Sequence, residues 1–208
     1  MLHTIASIPW ETFLTMLLGG LAVNFAPGQD IFFATACGIA GGPRMGAIAG
    51  LGVGVGVLWH VALAALGLAA VIAAHPGALT AIRYVGAAYL LWLAWKSWRA
   101  GNSSGEGRAA PDARRAFLRG ILSNITNPKP VLFMLAFLPQ FVDPAIGPVW
   151  QQITFFGLVF AFTGGVVTAG FGYVAGLAGR AIGARMGAVN KIAAVLFAGL
   201  AVRLVLSE

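Results

Sequence analysis

Between about Ile8 and Ala40 the chain carries two charges, Glu11 and Asp30, in a run otherwise apolar enough to lie in a bilayer. Lipid offers no water to backbone N–H and C=O groups, so a run of this kind must satisfy them internally, as helix. A straight helix of this length would measure roughly 48 Å, more than the ~30 Å hydrocarbon core needs. Its middle reads Asn24-Phe-Ala-Pro27-Gly28-Gln29-Asp30. Proline removes a donor and clashes with the preceding turn. An ionised Asp near the bilayer centre costs roughly 2.5 to 3.5 kcal/mol on insertion scales. Two half-helices are therefore expected, with Asp30 in the first turn of the second, and a broken helix carrying a buried acid points to a binding site.

The rest of the chain repeats the apolar theme. Of 208 residues, 59% are hydrophobic and 9% charged, against ~25% charged in a typical soluble domain. The whole length reads as one all-α integral membrane domain, 1–208. Gly41-Gly42-Pro43-Arg44 makes a turn, and a second span follows over about Met45 to Ala74. Its glycines, at four-residue spacing, read as helix packing in lipid. His75-Pro76-Gly77 closes that hairpin. A third span runs from about Leu79 to Trp98 and ends in Tyr89, Trp92, Trp95 and Trp98 with Lys96 and Arg99, an interfacial belt. Residues 100–116 are Gly/Ser-rich and then basic, and read as a flexible cytoplasmic loop. A fourth span, about Phe117 to Val142, is interrupted near its middle by Asn127-Pro128-Lys129-Pro130. A fifth covers about Val149 to Ala178, and a sixth about Lys191 to Leu206.

The net charge of +7 does not indicate nucleic acid, because the basic residues cluster between apolar runs. Ten of the 13 Lys and Arg lie in or beside the loops after spans one, three and five. The positive-inside rule then places those loops in the cytoplasm and both termini outside. The single Cys37 excludes an internal disulfide, and the first run, lacking a basic start, reads as a span and not a cleaved signal.

Spans one and four share a pattern, since Asn24 precedes Pro27 in one and Asn124 precedes Pro128 in the other. Three spans per half, about 8–99 and 117–206, force the second half into the membrane in the opposite sense. The expectation is a 3+3 inverted repeat of six helices, with helices one and four broken near the bilayer midplane. Paired interrupted helices of this kind mark the binding site of a transporter.

Asp30 and Lys129 are the only charges expected deep in the membrane. Asp30 can attract an ammonium group or carry a proton; Lys129 can hold a carboxylate or pair with Asp30 in the empty site. Such a site suits a zwitterion. A purely structural Asp30–Lys129 pair is the alternative. The breaks at Pro27, Gly28 and Pro128 free backbone groups, and Asn24, Gln29, Asn124 and Asn127 supply neutral hydrogen bonds to a ligand or cap the half-helices. His60 either bonds across helices or relays protons. Thr163, Thr168 and Tyr173 are weaker candidates to line a path, and Gln140 is ambiguous. No His-Glu-x-x-His, Gly-x-Ser-x-Gly or phosphate-binding glycine loop occurs. The three histidines fall on different elements and form no metal set, so neither an enzyme, a metal nor a cofactor is expected. With no nucleotide site, pumping must run on an ion gradient. A scaffold or membrane-embedded enzyme subunit is the rival, but neither needs two opposed breaks with a buried acid and base.

Pro27-Gly28-Gln29-Asp30, Gly41-Gly42-Pro43-Arg44-x-Gly46, the Gly-rich span ending in His60, Gly86-Ala-Ala-Tyr89-Leu-Leu-Trp92-Leu, and Asn127-Pro128-Lys129-Pro130 followed by Phe137-Leu-Pro139-Gln140-Phe141 resemble the LysE/RhtB family. These are bacterial inner-membrane exporters of amino acids and their derivatives. The resemblance, over nearly the whole chain, implies a six-helix exporter driven by proton antiport, with the Pro-Gly and Asn-Pro-Lys segments lining the site. Gln29 stands where the family usually has a second proline, which should soften the first break without removing it. A homodimer stays open.

Overall fold

The computed structural model describes residues 1–74, 78–99, 112–178 and 186–206. Among them all regular structure is helical: α1 (Leu2–Ala6), α2 (Trp10–Phe25), α3 (Gln29–Gly41), α4 (Pro43–Ala74), α5 (Ala78–Arg99), α6 (Ala113–Ile125), α7 (Pro128–Phe137), α8 (Val149–Ala178) and α9 (Met186–Leu206). A 3₁₀ turn, Leu138–Phe141, continues α7. Residues Pro43–Gly67 and Val149–Ala178 are long and apolar enough to cross a bilayer, and Ala113–Ile125 with Pro128–Phe141, bent by 48° at the break, are so only when taken together. The exterior carries Leu18, Leu66, Phe162 and Leu177, each well exposed, while Asn24, Asp30, His60, Asn124 and Asn127 are buried. This inversion of the soluble pattern is what a lipid solvent requires.

Both breaks occur where the prolines place them. Helix α2 stops at Phe25; Ala26 is extended and Gly28 is the N-cap of α3, with Asp30 in the first turn. The second interruption separates α6 from α7 at Thr126 and Asn127. Pro128 occupies the first position of α7, where its missing donor costs nothing.

Some boundaries differ from expectation. The loop expected over 100–116 already turns helical at Ala113, because Asp112 accepts a 2.8 Å bond from the Arg115 amide and caps the helix. The remainder of that loop, 100–111, and the His75-Pro76-Gly77 turn lie outside the described residues. The last helix starts at Met186, so Lys191 is on a helix and not in a loop, with its Nζ 6.0 Å from the Trp98 ring centroid. The short α1 was unexpected. Thr4 on it donates to Gln151 of α8 at 2.9 Å. Buried Gln152 braces the turn before α8: its amide donates to the carbonyls of Asp143 and Gly147, and its oxygen accepts from the Asp143 amide.

Glycines determine which helices touch. A Cβ on Gly46 would strike the backbone of Gly172, on Gly50 that of Thr168 and Ala169, and on Gly54 that of Gly165. As one number rises the other falls, so α4 and α8 pack antiparallel along a small-residue seam. Gly52 meets Phe117 and Gly56 meets Ile121, so α6 runs alongside α4 in the same direction. Gly38 meets Gly172, and Asn24 reaches Phe160, so the first broken helix runs parallel to α8. The two broken helices therefore oppose each other. Helix α5 packs on α9, and that pair meets the rest through α7 and α2. Phe133, Phe137 and Phe160 stack at centroid separations of 4.6 to 4.7 Å in the main apolar core.

Candidate functional site

Because the broken helices run in opposite directions, their interruptions meet. The Asp30 carboxylate, in the first turn of α3, points at the end of α6. Its Oδ1 accepts from Ser123 Oγ at 3.0 Å, and its Oδ2 accepts from Asn124 Nδ2 and Asn127 Nδ2, both at 2.8 Å. Hydrogen bonds to an ionised acceptor are among the stronger ones, and three of them spread the charge of an acid that is only 9% exposed. Gln29 adds a bond from Nε2 to the Ser123 carbonyl at 3.1 Å. Its side chain thus ties the first break to the second, and the break persists without a second proline.

Asn127 serves two functions. Its Oδ1 accepts from the Lys129 amide at 3.0 Å, capping α7, while its Nδ2 holds Asp30. Of the two roles expected from the sequence, a cap or a hydrogen bond to a ligand, the structure shows the cap, and the other end of the same amide is bonded to Asp30. Asn124 uses Nδ2 on Asp30, and its buried Oδ1 has no hydrogen-bond partner in the structure. Asn24 caps nothing: its Nδ2 reaches α8, at 3.0 Å from Thr163 Oγ1 and 3.3 Å from the Phe160 carbonyl.

Asp30 and Lys129 do not form an ion pair within 4.0 Å. Lys129 Nζ instead donates to the carbonyl of Ala26, at 2.6 Å, one of the groups that the first break frees from the helix ladder. Asp30 is already satisfied by neutral donors, so the lysine is free to take the carbonyl. Gly28 leaves the space beside it: a Cβ there would lie 3.8 Å from Lys129 Cδ and Nζ.

His60, buried in α4, bonds through Nε2 to the Asn124 carbonyl at 2.9 Å. This is the cross-helix contact, placed one residue from the Asp30 cluster; its Nδ1 has no partner in the structure. Thr163 bonds back to the Val159 carbonyl at 2.8 Å. Thr168 is buried, whereas Tyr173 is 48% exposed and apart from the site. Gln140 bonds its own helix at Ala136.

Two cavities flank the crossing. The larger, about 350 Å³, is lined by the first break together with Phe32, Tyr89, Trp92, Lys96, Asn190 and Phe197. The smaller, about 20 Å³, lies on the side of Asn24, Asp30, Asn124 and Thr168. Gly28, Asn127 and Lys129 border both and so form the partition between them. The predicted residues thus converge: Asp30 and Lys129 share the smaller cavity, and only Lys129 also borders the larger one. Sequence reasoning missed Ser123, Asn190 and the aromatic wall from α5 and α9. Ser123 adjoins Asn124 and was open to inference; the wall depends on which helices close around the break.

The model of the LysE type translocator family matches residues 21–208. A Vibrio cholerae protein described as an uncharacterized membrane protein is 32% identical over 197 residues, covering 91% of this chain and 94% of that protein. The leucine efflux protein of Klebsiella pneumoniae is 30% identical over 200 residues, covering 92% of this chain and 93% of its own. The homoserine/homoserine lactone efflux protein of Salmonella typhimurium is 32% identical over 139 residues, 65% of this chain and 66% of that protein. No solved structure matches the chain.

Proposed function

Since the chain belongs to the LysE-type translocator family, a family of membrane transporters and not of enzymes, we propose that it exports amino acids or small amino-acid derivatives across the bacterial cytoplasmic membrane by proton antiport with alternating access. The relatives named for leucine and homoserine efflux support the substrate class. The observation that carries the reading is the crossing of the two breaks. A buried carboxylate is held there by donors from the opposite half, and a lysine divides two cavities.

The six-helix inverted repeat belongs to the same proposal. Treating α2–α3, α4 and α5 as one half and α6–α7, α8 and α9 as the other, α4 meets α8 and α5 meets α9 across the halves, and each broken helix lies on the middle span of the other half, α2 and α3 on α8 and α6 and α7 on α4. An odd number of spans per half gives the two breaks opposite sense, which agrees with their antiparallel crossing. Both termini face outward, following the basic loops. Asp30 carries the coupling proton: taking one up neutralises the carboxylate, weakens its grip on Asn124 and Asn127, and loosens one half from the other. Lys129 binds the substrate carboxylate. Asn24, Gln29, Asn124 and Asn127 shape the site around Pro27, Gly28 and Pro128, and His60 holds the end of α6 in place.

A scaffold has no use for cavities between two broken helices, so their presence counts against that rival. The test is counterflow of labelled leucine and homoserine into liposomes holding the purified protein. Uptake that exceeds empty liposomes and responds to an imposed pH gradient supports the reading. Uptake indifferent to that gradient removes the proton, and no uptake of any amino acid removes export.

A further inference from the structure

The larger cavity has an unusual lining for a site that receives a zwitterion. Four rings face it, Phe32 from α3, Tyr89 and Trp92 from α5, and Phe197 from α9, and its two ionisable cations are Lys129 and Lys96. No carboxylate is among its described lining residues. Asp30 borders the smaller cavity instead, with both oxygens engaged by three donors. Lys96 is exposed and holds its Nζ 5.0 Å from the Trp92 ring centroid. Within the cavity wall Lys129 Nζ donates to the Ala26 carbonyl at 2.6 Å.

We propose that this cavity selects amino acids with an apolar side chain and rejects those with a cationic one. The inference rests on the export reading and specifies its substrate. A zwitterion inserts into the Lys129–Ala26 bond. Its carboxylate takes the Lys129 ammonium, and its own ammonium takes the Ala26 carbonyl so released. Each polar group exchanges one partner for another, so none is left buried and unpaired. The side chain then lies among the four rings, where apolar surface gains by leaving water. A second ammonium on that side chain would find two lysines and no acid among the described lining residues, the uncompensated buried charge that proteins avoid.

L-Norleucine and L-lysine test this directly, since their side chains have the same number of carbons and differ by the terminal ammonium. Liposomes holding the full-length protein are loaded with unlabelled L-norleucine, and entry of labelled L-norleucine is measured against external competitors. Norleucine should compete at a concentration at least about 30-fold below lysine, a modest share of the penalty for an unpaired charge in a low-dielectric site. Norleucine amide, lacking the carboxylate, should not compete. Trp92→Glu supplies the missing acid and should shrink the norleucine-to-lysine ratio about tenfold or more; Phe197→Glu makes the same test from α9. Lysine or glutamate competing as well as norleucine would overturn the selectivity and leave export standing. If neither norleucine, lysine, glutamate nor homoserine exchanges at all, export itself fails and takes this inference with it.

Discussion

At the scale of single residues, the centre of the molecule is a carboxylate satisfied by neutral donors. Asp30→Ala would leave the buried amides of Asn124 and Asn127 without their acceptor. Hydrogen bonds to a charge are worth about 1.5–3 kcal/mol each, so a loss of about 2–5 kcal/mol is expected, read as a lower melting temperature in detergent. Asp30→Asn keeps the shape and is expected to fold, yet to lose proton-coupled efflux; wild-type efflux from that variant would reject Asp30 as the proton carrier. Lys129→Ala should raise the substrate KM most among the site variants, because the lysine borders both cavities. His60 separates structure from coupling. Gln at this position can still donate to the Asn124 carbonyl, so His60→Gln should retain most export while His60→Ala loses about 1–2 kcal/mol of stability. A folded His60→Gln protein without pH-driven transport would make the imidazole a relay.

At the scale of elements, the seam between α4 and α8 leaves no room for a Cβ at Gly46 or Gly172. Gly46 and Gly172 are so close that a Cβ on either meets the other's backbone, and backbone cannot rotate away as a side chain can. Gly172→Leu is therefore expected to separate the helices and prevent recovery of folded protein. Gly170 lies on the same helix with nothing within 4 Å of a Cβ. Gly170→Ala should leave folding intact or raise stability by up to about 1 kcal/mol through helix propensity. Equal melting temperatures for the two variants would refute the seam. The breaks behave differently from the seam, since they separate helices into halves whose freed groups then find partners across the molecule. The Ala26 carbonyl finds Lys129, and the Asn127 side chain caps α7.

At the scale of the whole molecule, opposed broken helices convert two local defects into one central crossing. On the alternating-access proposal, rigid-body movement of one half against the other opens one cavity as it closes the second, with Gly28, Asn127 and Lys129 bordering both. Orientation is testable apart from transport. With Cys37 replaced by Ala, a Ser7→Cys variant should react with a membrane-impermeant maleimide in intact spheroplasts, whereas an Arg44→Cys variant should react only after the membrane is opened. The reverse pattern would place the termini in the cytoplasm and invert the direction assigned to the basic loops.

The sequence by itself determined the membrane class, the sites of both breaks and the residues to examine around them. These are local properties: apolar length, the donor that proline lacks, and the cost of Asp30 and Lys129 in lipid all act within a turn or two of chain. The flanking polar residues Asn24, Gln29, Asn124, Asn127 and His60 were legible for the same reason, since each is an anomaly in its own apolar surroundings. Their partners were not. That Asp30 bonds to Asn124 and Asn127 while Lys129 turns to Ala26 depends on two helices crossing antiparallel about 100 residues apart in the chain, and opposite charge alone suggested a different pairing. The aromatic wall was read on the sequence as an interfacial belt because Tyr89 and Trp92 precede Lys96 and Arg99. Only the packing of α5 on α9 turned those two rings toward the break. Spacing along a helix reports which residues share a face, but what that face meets is decided by which distant helices pack against it.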